Sequence, residues 1–331
     1  MPVVQNSNLP AFDRLIAEGV HVSGSEPGLI DLHVGLLNLM PDAALAATDR
    51  QFIRLISGYT EPANVYVYPF TLAVGHRSER AQAYVAEHYS GFSSLTDRGI
   101  DALIVTGANP THLELSEEPF WAGLTEVFDW AESGVQSTLC SCLATHAVLE
   151  HRGLAKRTKL SSKRWGVYNH ATVAEDHPML EGLKAPIEAP HSHWFDMTQE
   201  QLEQVGLSVL VTSDEAGVHM ATSDDGFRYV FFQGHPEYDD ISLLKEYKRE
   251  VVRYVAGERT YPGFPDHYFD ERAREILEGH RIQAEAAYLS GRDQPVFPET
   301  AVLRNWKPAW SRQGQMIYAN WLGEVARRVG S

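Results

Sequence analysis

Four times between Ile30 and Glu150 a short apolar run is followed by a stretch with helical spacing. Ile30 to Met40, closed by Pro41, precedes Ala43 to Ile56, in which Leu45, Phe52, Ile53, Leu55 and Ile56 recur at helical intervals. Val65 to Phe70 precedes Glu79 to Tyr89, and Ile100 to Val105 precedes Phe120 to Glu132, with Trp121, Leu124, Val127, Phe128 and Ala131 on one stripe. Gln136 to Cys142 precedes Ala144 to Glu150. Strands apolar on both sides need cover on both sides, and helices alternating with them supply it. The pattern therefore predicts an α/β fold built on a doubly wound parallel sheet.

Further along, the pattern changes. Leu207 to Thr212, His219 to Ser223 and Phe227 to Gln233 read as three closely spaced strands, the last two joined by Asp224-Asp225-Gly226, a hairpin signal. A helix is expected at Ile241 to Val255. Beyond Gly257 come Pro262, Pro265, Pro295 and Pro298, a helix at Glu271 to Leu289, and a closing helix within residues 305–328. Residues 1–29, with a Ser23 to Gly28 turn cluster, read as an irregular arm. The expected organisation is thus an N-terminal arm (1–29), one catalytic α/β domain (30–257), and a C-terminal helical extension (258–331) that packs on the same domain or on a dimer partner.

Several function classes are excluded by composition. No apolar run approaches the length that crosses a bilayer, and Met1 to Asn6 lacks a charged segment followed by an apolar one, so neither a membrane span nor a secretory signal is expected. The two cysteines, Cys140 and Cys142, make neither a disulfide framework nor a zinc set, which suits a reducing cytoplasm. A formal charge of −16 argues against nucleic-acid binding. A polyanionic ligand would need a local basic patch; Lys156, Arg157, Lys159, Lys163 and Arg164 form the densest candidate, with a solvated loop as the plainer reading.

Three segments carry the chemistry. In Ser137 to His146 an apolar strand runs into small residues and then a helix. A cysteine at that turn sits where unpaired N–H groups and the helix dipole favour a thiolate, and strand alternation buries Cys140 while Cys142 reaches the strand end. Burial of both is the commoner fate of a free cysteine. The second segment, Gln233-Gly234-His235-Pro236-Glu237, follows another apolar strand; His235 supplies a base and Glu237 a carboxylate to orient it. A surface turn is the rival reading. Third, Gly107-Ala108-Asn109-Pro110 follows the Ile100 to Val105 strand, so its N–H groups could form half of an oxyanion hole whose other half is the Cys142–Leu143 turn. Parallel α/β sheets place their sites at such strand ends. Neither the spacing of His146, His151, His170, His191 and His193 nor an H-E-x-x-H motif indicates a metal, and none is expected.

These residues resemble the MetA-type homoserine O-acyltransferases, which share the flavodoxin-like fold of class I glutamine amidotransferases. The matching segments are Leu37 to Pro41, Gln51 to Leu55, Leu103 to Ala108, Ser137 to Cys142, Gly166 to Tyr168, Ala189 to Ser192, Gly234 to Asp239 and Asn320 to Leu322. The resemblance implies a flavodoxin-like, mostly parallel sheet, with Cys142 as acyl-bearing nucleophile, His235 as base, Glu237 as its orienting carboxylate, and Lys163, Ser192 and Arg249 at the substrate. It also places acyl-donor choice at position 111, where a glutamate accompanies acetyl donors and a small residue succinyl donors. Thr111 is neutral and able to donate a hydrogen bond, which favours succinyl.

The expected reaction moves a succinyl group from succinyl-CoA to the hydroxyl of L-homoserine, in methionine biosynthesis, without a separate cofactor. Acetyl-CoA as donor and serine as acceptor are the near alternatives. A glutaminase module shares the Cys and His-Pro-Glu layout, but glycines usually flank its nucleophile, whereas Ser141 and Leu143 do here. A non-catalytic binding protein is the remaining rival. A cytoplasmic homodimer is what the family implies.

Overall fold

The computed structural model describes residues 3–174, 176–304 and 310–330. Its elements in chain order are α1 (Pro10–Ala17), β1 (Ile30–Leu37), α2 (Leu45–Ile56), β2 (Ala63–Phe70), α3 (Glu79–His88), α4 (Phe92–Arg98), β3 (Ala102–Val105), α5 (Trp121–Gly134), β4 (Ser137–Ser141), α6 (Leu143–His151), β5 (Thr158–Thr172), β6 (Ile187–Asp196), α7 (Gln199–Gln204), β7 (Ser208–Ser213), β8 (Gly217–Thr222), β9 (Tyr229–Phe232), α8 (Ser242–Val255), α9 (Glu271–Ser290), α10 (Glu299–Leu303) and α11 (Trp310–Val329). The nine strands form one sheet in the order β2-β1-β3-β4-β9-β8-β7-β5-β6. From β2 to β9 every pairing is parallel; from β9 to β6 every pairing is antiparallel. With β9 as its fifth strand, the parallel half has the flavodoxin-like order, and the expected α/β class holds.

The parallel strands are buried on both sides, and successive residues feed opposite cores. Leu36, Ile104 and Leu139 join a cluster with Phe12, Phe52, Ile53, Tyr318 and Trp321, whereas Leu37, Val105 and Cys140 join one with Leu124, Phe128, Ala147 and Val148. A third cluster joins α8 to the later chain through Tyr247, Phe269, Leu277 and Val302.

Two departures from the sequence reading concern the ends. The arm is not irregular throughout, because α1 begins at Pro10, a favoured first-turn position, and its Phe12 and Leu15 are fully buried. Near the C-terminus, residues 305–309 of the expected closing helix lie outside the described residues. From Trp310 onward α11 packs on the same chain: Trp321 is fully buried and its indole N–H donates to Ser137 Oγ at 2.8 Å, on the strand that leads to Cys142.

A larger departure is the hairpin β5–β6, which has no counterpart in the periodicity. It forms the far edge of the sheet, where Pro190 is tolerated because edge strands need fewer N–H donors. A register shift between Lys159 and Arg164 interrupts the pairing. At Gly166 the backbone of Asp266 approaches so closely that a Cβ would lie 2.3 Å from its carbonyl oxygen, so only glycine fits there.

Candidate active site

Strand β4 ends at Ser141 and α6 starts at Leu143, leaving Cys142 alone to turn the chain. It does so at φ 50° and ψ −107°, a region that L-residues rarely occupy and that costs about 1–3 kcal/mol. The same sharp strand-to-helix turn exposes nucleophiles in other α/β enzymes. Here it leaves Cys142 partly exposed while Cys140, one strand position inward, is fully buried, with burial holding its thiol well above the usual cysteine range. The alternation expected from the sequence is therefore observed.

Because β4 and β9 run parallel side by side, the loop after Phe232 emerges at the same edge as Cys142. His235 Nδ1 lies 2.8 Å from Glu237 Oε1, and the ring stacks on Tyr238 with centroids 4.3 Å apart. The backbone N–H of His235 donates to Pro190 O at 2.7 Å, fixing the turn against β6. Burial disfavours charge on this imidazole, but the Glu237 carboxylate and the Cys142 sulfur more than offset it and hold its pKa well above the ordinary value. With Nδ1 committed to Glu237, the buried Nε2 of His235 is the ring atom left to face the Cys142 sulfur. Ser141 Oγ donates to Glu237 Oε1 at 3.3 Å, a contact that the sequence reading missed.

The loop after β3 reaches the same edge. A Cβ built on Gly107 would lie 3.7 Å from Cys142 Cβ, so the backbone of Gly107 comes up against the Cys142 side chain. On the other side of the sulfur the assignment narrows. The N–H of Cys142 donates to Phe232 O at 2.7 Å and so is not open to a ligand, whereas Leu143, the first residue of α6, has an N–H with no acceptor inside the helix.

Lys163 and Ser192, on neighbouring strands, converge on one carboxylate. Glu246 of α8 accepts from Lys163 Nζ at 2.9 Å and Ser192 Oγ at 2.7 Å through one oxygen, and from the Tyr238 hydroxyl at 2.7 Å through the other. Burial would raise the Glu246 pKa, yet Lys163 with these two hydroxyls brings it below the usual value. Since Tyr238 also stacks on His235, this second cluster abuts the first. Sequence reasoning missed Glu246 and Tyr238.

Arg249 itself is exposed and sits 3.6 Å from Glu250, joining none of the groups above. Thr111 is likewise committed, its amide donating to Glu118 Oε1 at 2.5 Å and its hydroxyl to Oε2 at 3.5 Å. The basic cluster is largely neutralised: Lys156 pairs with Glu114, Arg157 with Glu150, Lys163 with Glu246 and Arg164 with Asp196. Lys156, Arg157 and Lys159 line a cleft of about 140 Å³ together with Glu114, Glu150 and Phe195. Among the described residues, no group of three or more His, Cys, Asp or Glu is placed to hold a metal ion, and no helix is long and apolar enough to cross a membrane.

The family model described as homoserine O-succinyltransferase matches residues 2–330. The chain is 47% identical over 330 residues to the homoserine O-succinyltransferase of Thiothrix nivea and 49% identical to that of Allochromatium vinosum, in each case covering 98% of this chain and 92% of the relative. Among solved structures it is similar to a glutamine amido transferase from Methylobacillus flagellatus, at 13% identity over 89% of this chain and 95% of that one, with a TM-score of 0.48. The chain belongs to the homoserine O-succinyltransferase family.

Proposed function

We propose that this chain transfers a succinyl group from succinyl-CoA to the hydroxyl of L-homoserine through a thioester on Cys142. The observation that carries the reading is one imidazole, His235, poised between the Glu237 carboxylate and the Cys142 sulfur at a shared strand edge. The Cys142 thiolate attacks the donor thioester carbonyl, and the N–H groups of Leu143, Gly107 and Ala108 stabilise the oxyanion. Coenzyme A leaves as the thiol with a proton from His235 Nε2. One thioester replaces another, so the step is nearly balanced. His235 then removes the homoserine hydroxyl proton, the oxygen attacks the acyl carbon, and the Cys142 sulfur departs, leaving the more stable oxygen ester. Glu237 keeps the ring oriented with Nε2 toward the reacting atoms.

Lys163 and Ser192 hold the homoserine carboxylate in this reading, and Glu246 takes its ammonium group. Arg249, one helical turn beyond Glu246, completes the pocket by swinging in from solvent. Thr111 leaves room for the succinyl tail. Coenzyme A arrives as part of the donor, so no separate cofactor is needed, and the working form is a cytoplasmic homodimer, a state that sedimentation velocity reads directly. Intact-mass analysis tests the chemistry. Mixing with succinyl-CoA alone adds one succinyl group to the wild-type chain and none to Cys142→Ala, and homoserine then removes it, whereas serine and acetyl-CoA substitute poorly. Wild-type turnover by Cys142→Ala overturns the mechanism.

A further inference from the structure

Three buried imidazoles run in a row from β5 to β6, and their hydrogen bonds do not balance with neutral rings. His170 Nδ1 faces Ile187 O at 3.1 Å, and its Nε2 faces His191 Nε2 at 3.1 Å. His191 Nδ1 faces His193 Nε2 at 3.0 Å, and His193 Nδ1 faces Phe195 O at 2.6 Å. A carbonyl only accepts, so both end rings must place their N–H outward and turn a lone pair toward His191. A neutral His191 has one N–H for two lone pairs. Four contacts need four protons, and three neutral rings bring three.

We propose that the row His170–His191–His193 holds this fourth proton, and that the buried positive charge, lying against Gly234, biases the neighbouring His235 toward its neutral, proton-accepting form. The inference rests on His235 acting as the base. Its geometry rests on Gly234, where a Cβ would lie 2.8 Å from His191 Nε2 and 2.6 Å from His219 Nδ1, so both rings press on the residue preceding His235. Burial opposes the charge and, with the neighbouring rings, presses the pKa values of His191 and His193 down. Against that stands the alternative, in which two lone pairs confront each other in a buried site; a proton shared along two N–H···N bonds makes the stronger, charge-assisted kind. The titratable and charged groups facing the row are Arg164 and Tyr168 on β5, His146 on α6, His219 on β8 and His235 after β9; Arg164 is already paired with Asp196.

The full chain labelled with 15N-histidine decides the matter by ring-nitrogen NMR at pH 8. The row is expected to show one doubly protonated ring, distinct from any signal of His235, which disappears in His235→Asn. In His170→Phe the row needs only two protons for its two remaining contacts, so the signal is lost and the acid limb of kcat/KM for homoserine moves up by about one pH unit. His193→Arg replaces the shared proton by a fixed charge that donates both ways; the signal is lost and the acid limb stays in place. Three neutral rings in the wild-type spectrum overturn the proposal, and an unmoved limb in His170→Phe overturns the link to His235. Should that variant not fold, His170→Met carries the same two readouts. The spectrum reads the row whether or not acyl transfer is observed, so its failure is separable from failure of the proposed reaction.

Discussion

The two halves of the sheet do different work. In the parallel half, β2 to β9, strands are covered on both sides, and three adjacent strand ends deliver Gly107, Cys142 and His235 to one edge. In the antiparallel half, β5 is largely exposed at its start, is interrupted by a register shift, and still supplies Lys163, while β6 supplies Ser192. The proposed bond exchange thus falls on strands packed on both sides. The proposed acceptor recognition falls on a half-open hairpin whose Lys163 and Ser192 bond Glu246 of α8. If both assignments hold, the comparison teaches that placement of the reacting atoms and choice of substrate are separable in this molecule.

The sharpest way to break that comparison is a pair of substitutions. His235→Asn, in the parallel half, is expected to lower kcat by about a thousandfold with little change in KM for homoserine. The next largest effect concerns stability. Trp321→Ala removes a fully buried ring and the donor to Ser137 Oγ, costing about 3–5 kcal/mol in denaturant unfolding and loosening the strand beneath Cys142. Glu246→Gln, on the antiparallel side, is expected to raise KM for homoserine about tenfold, with the yield of the Cys142 thioester from succinyl-CoA unchanged. If that variant lost thioester formation, the division of labour between the halves would be wrong.

The same division explains what was legible in the sequence. Cys142 and His235 could be found because each stands just past a buried strand, β4 with Leu139 and Cys140 at its centre and β9 with the apolar run Tyr229 to Phe232, and the partner of His235 lies only two residues away. The hairpin was not legible. Thr158 to Lys163 has one apolar residue in six, Pro190 interrupts β6, and the register shift breaks the period-two pattern on which strand recognition depends. Glu246 looked like any charge on an amphipathic helix; what distinguishes it is burial against Lys163, Ser192 and Tyr238, which only tertiary structure supplies. His191 and His193 stand two apart, the spacing of one strand face, yet that spacing says nothing until β6 is known to be a strand. That the Thr111 amide and hydroxyl face Glu118, seven residues on, was likewise not visible in the sequence.

The smallest effect lies on the boundary between the halves. His146 of α6 is buried, with Nε2 at 3.0 Å from the side-chain oxygen of Gln233, the residue that links β9 to β6 through Met197. Burial lowers its pKa from 6.5 to about 4. Between these values the unfolded chain binds a proton that the folded chain refuses, so this residue contributes stability at pH 7.5 that drains away as the pH falls below 6.5 and is gone near 4. At pH 5.5 the loss amounts to about 1 kcal/mol. His146→Gln keeps an amide N–H for Gln233 and does not titrate. Urea unfolding of both chains at pH 7.5 and 5.5 should therefore show a smaller acid loss in the variant, by that amount. An equal loss in the two chains would mean that His146 keeps its ordinary proton affinity in the folded state, and that the seam between bond exchange and substrate recognition is more open to water than its burial implies.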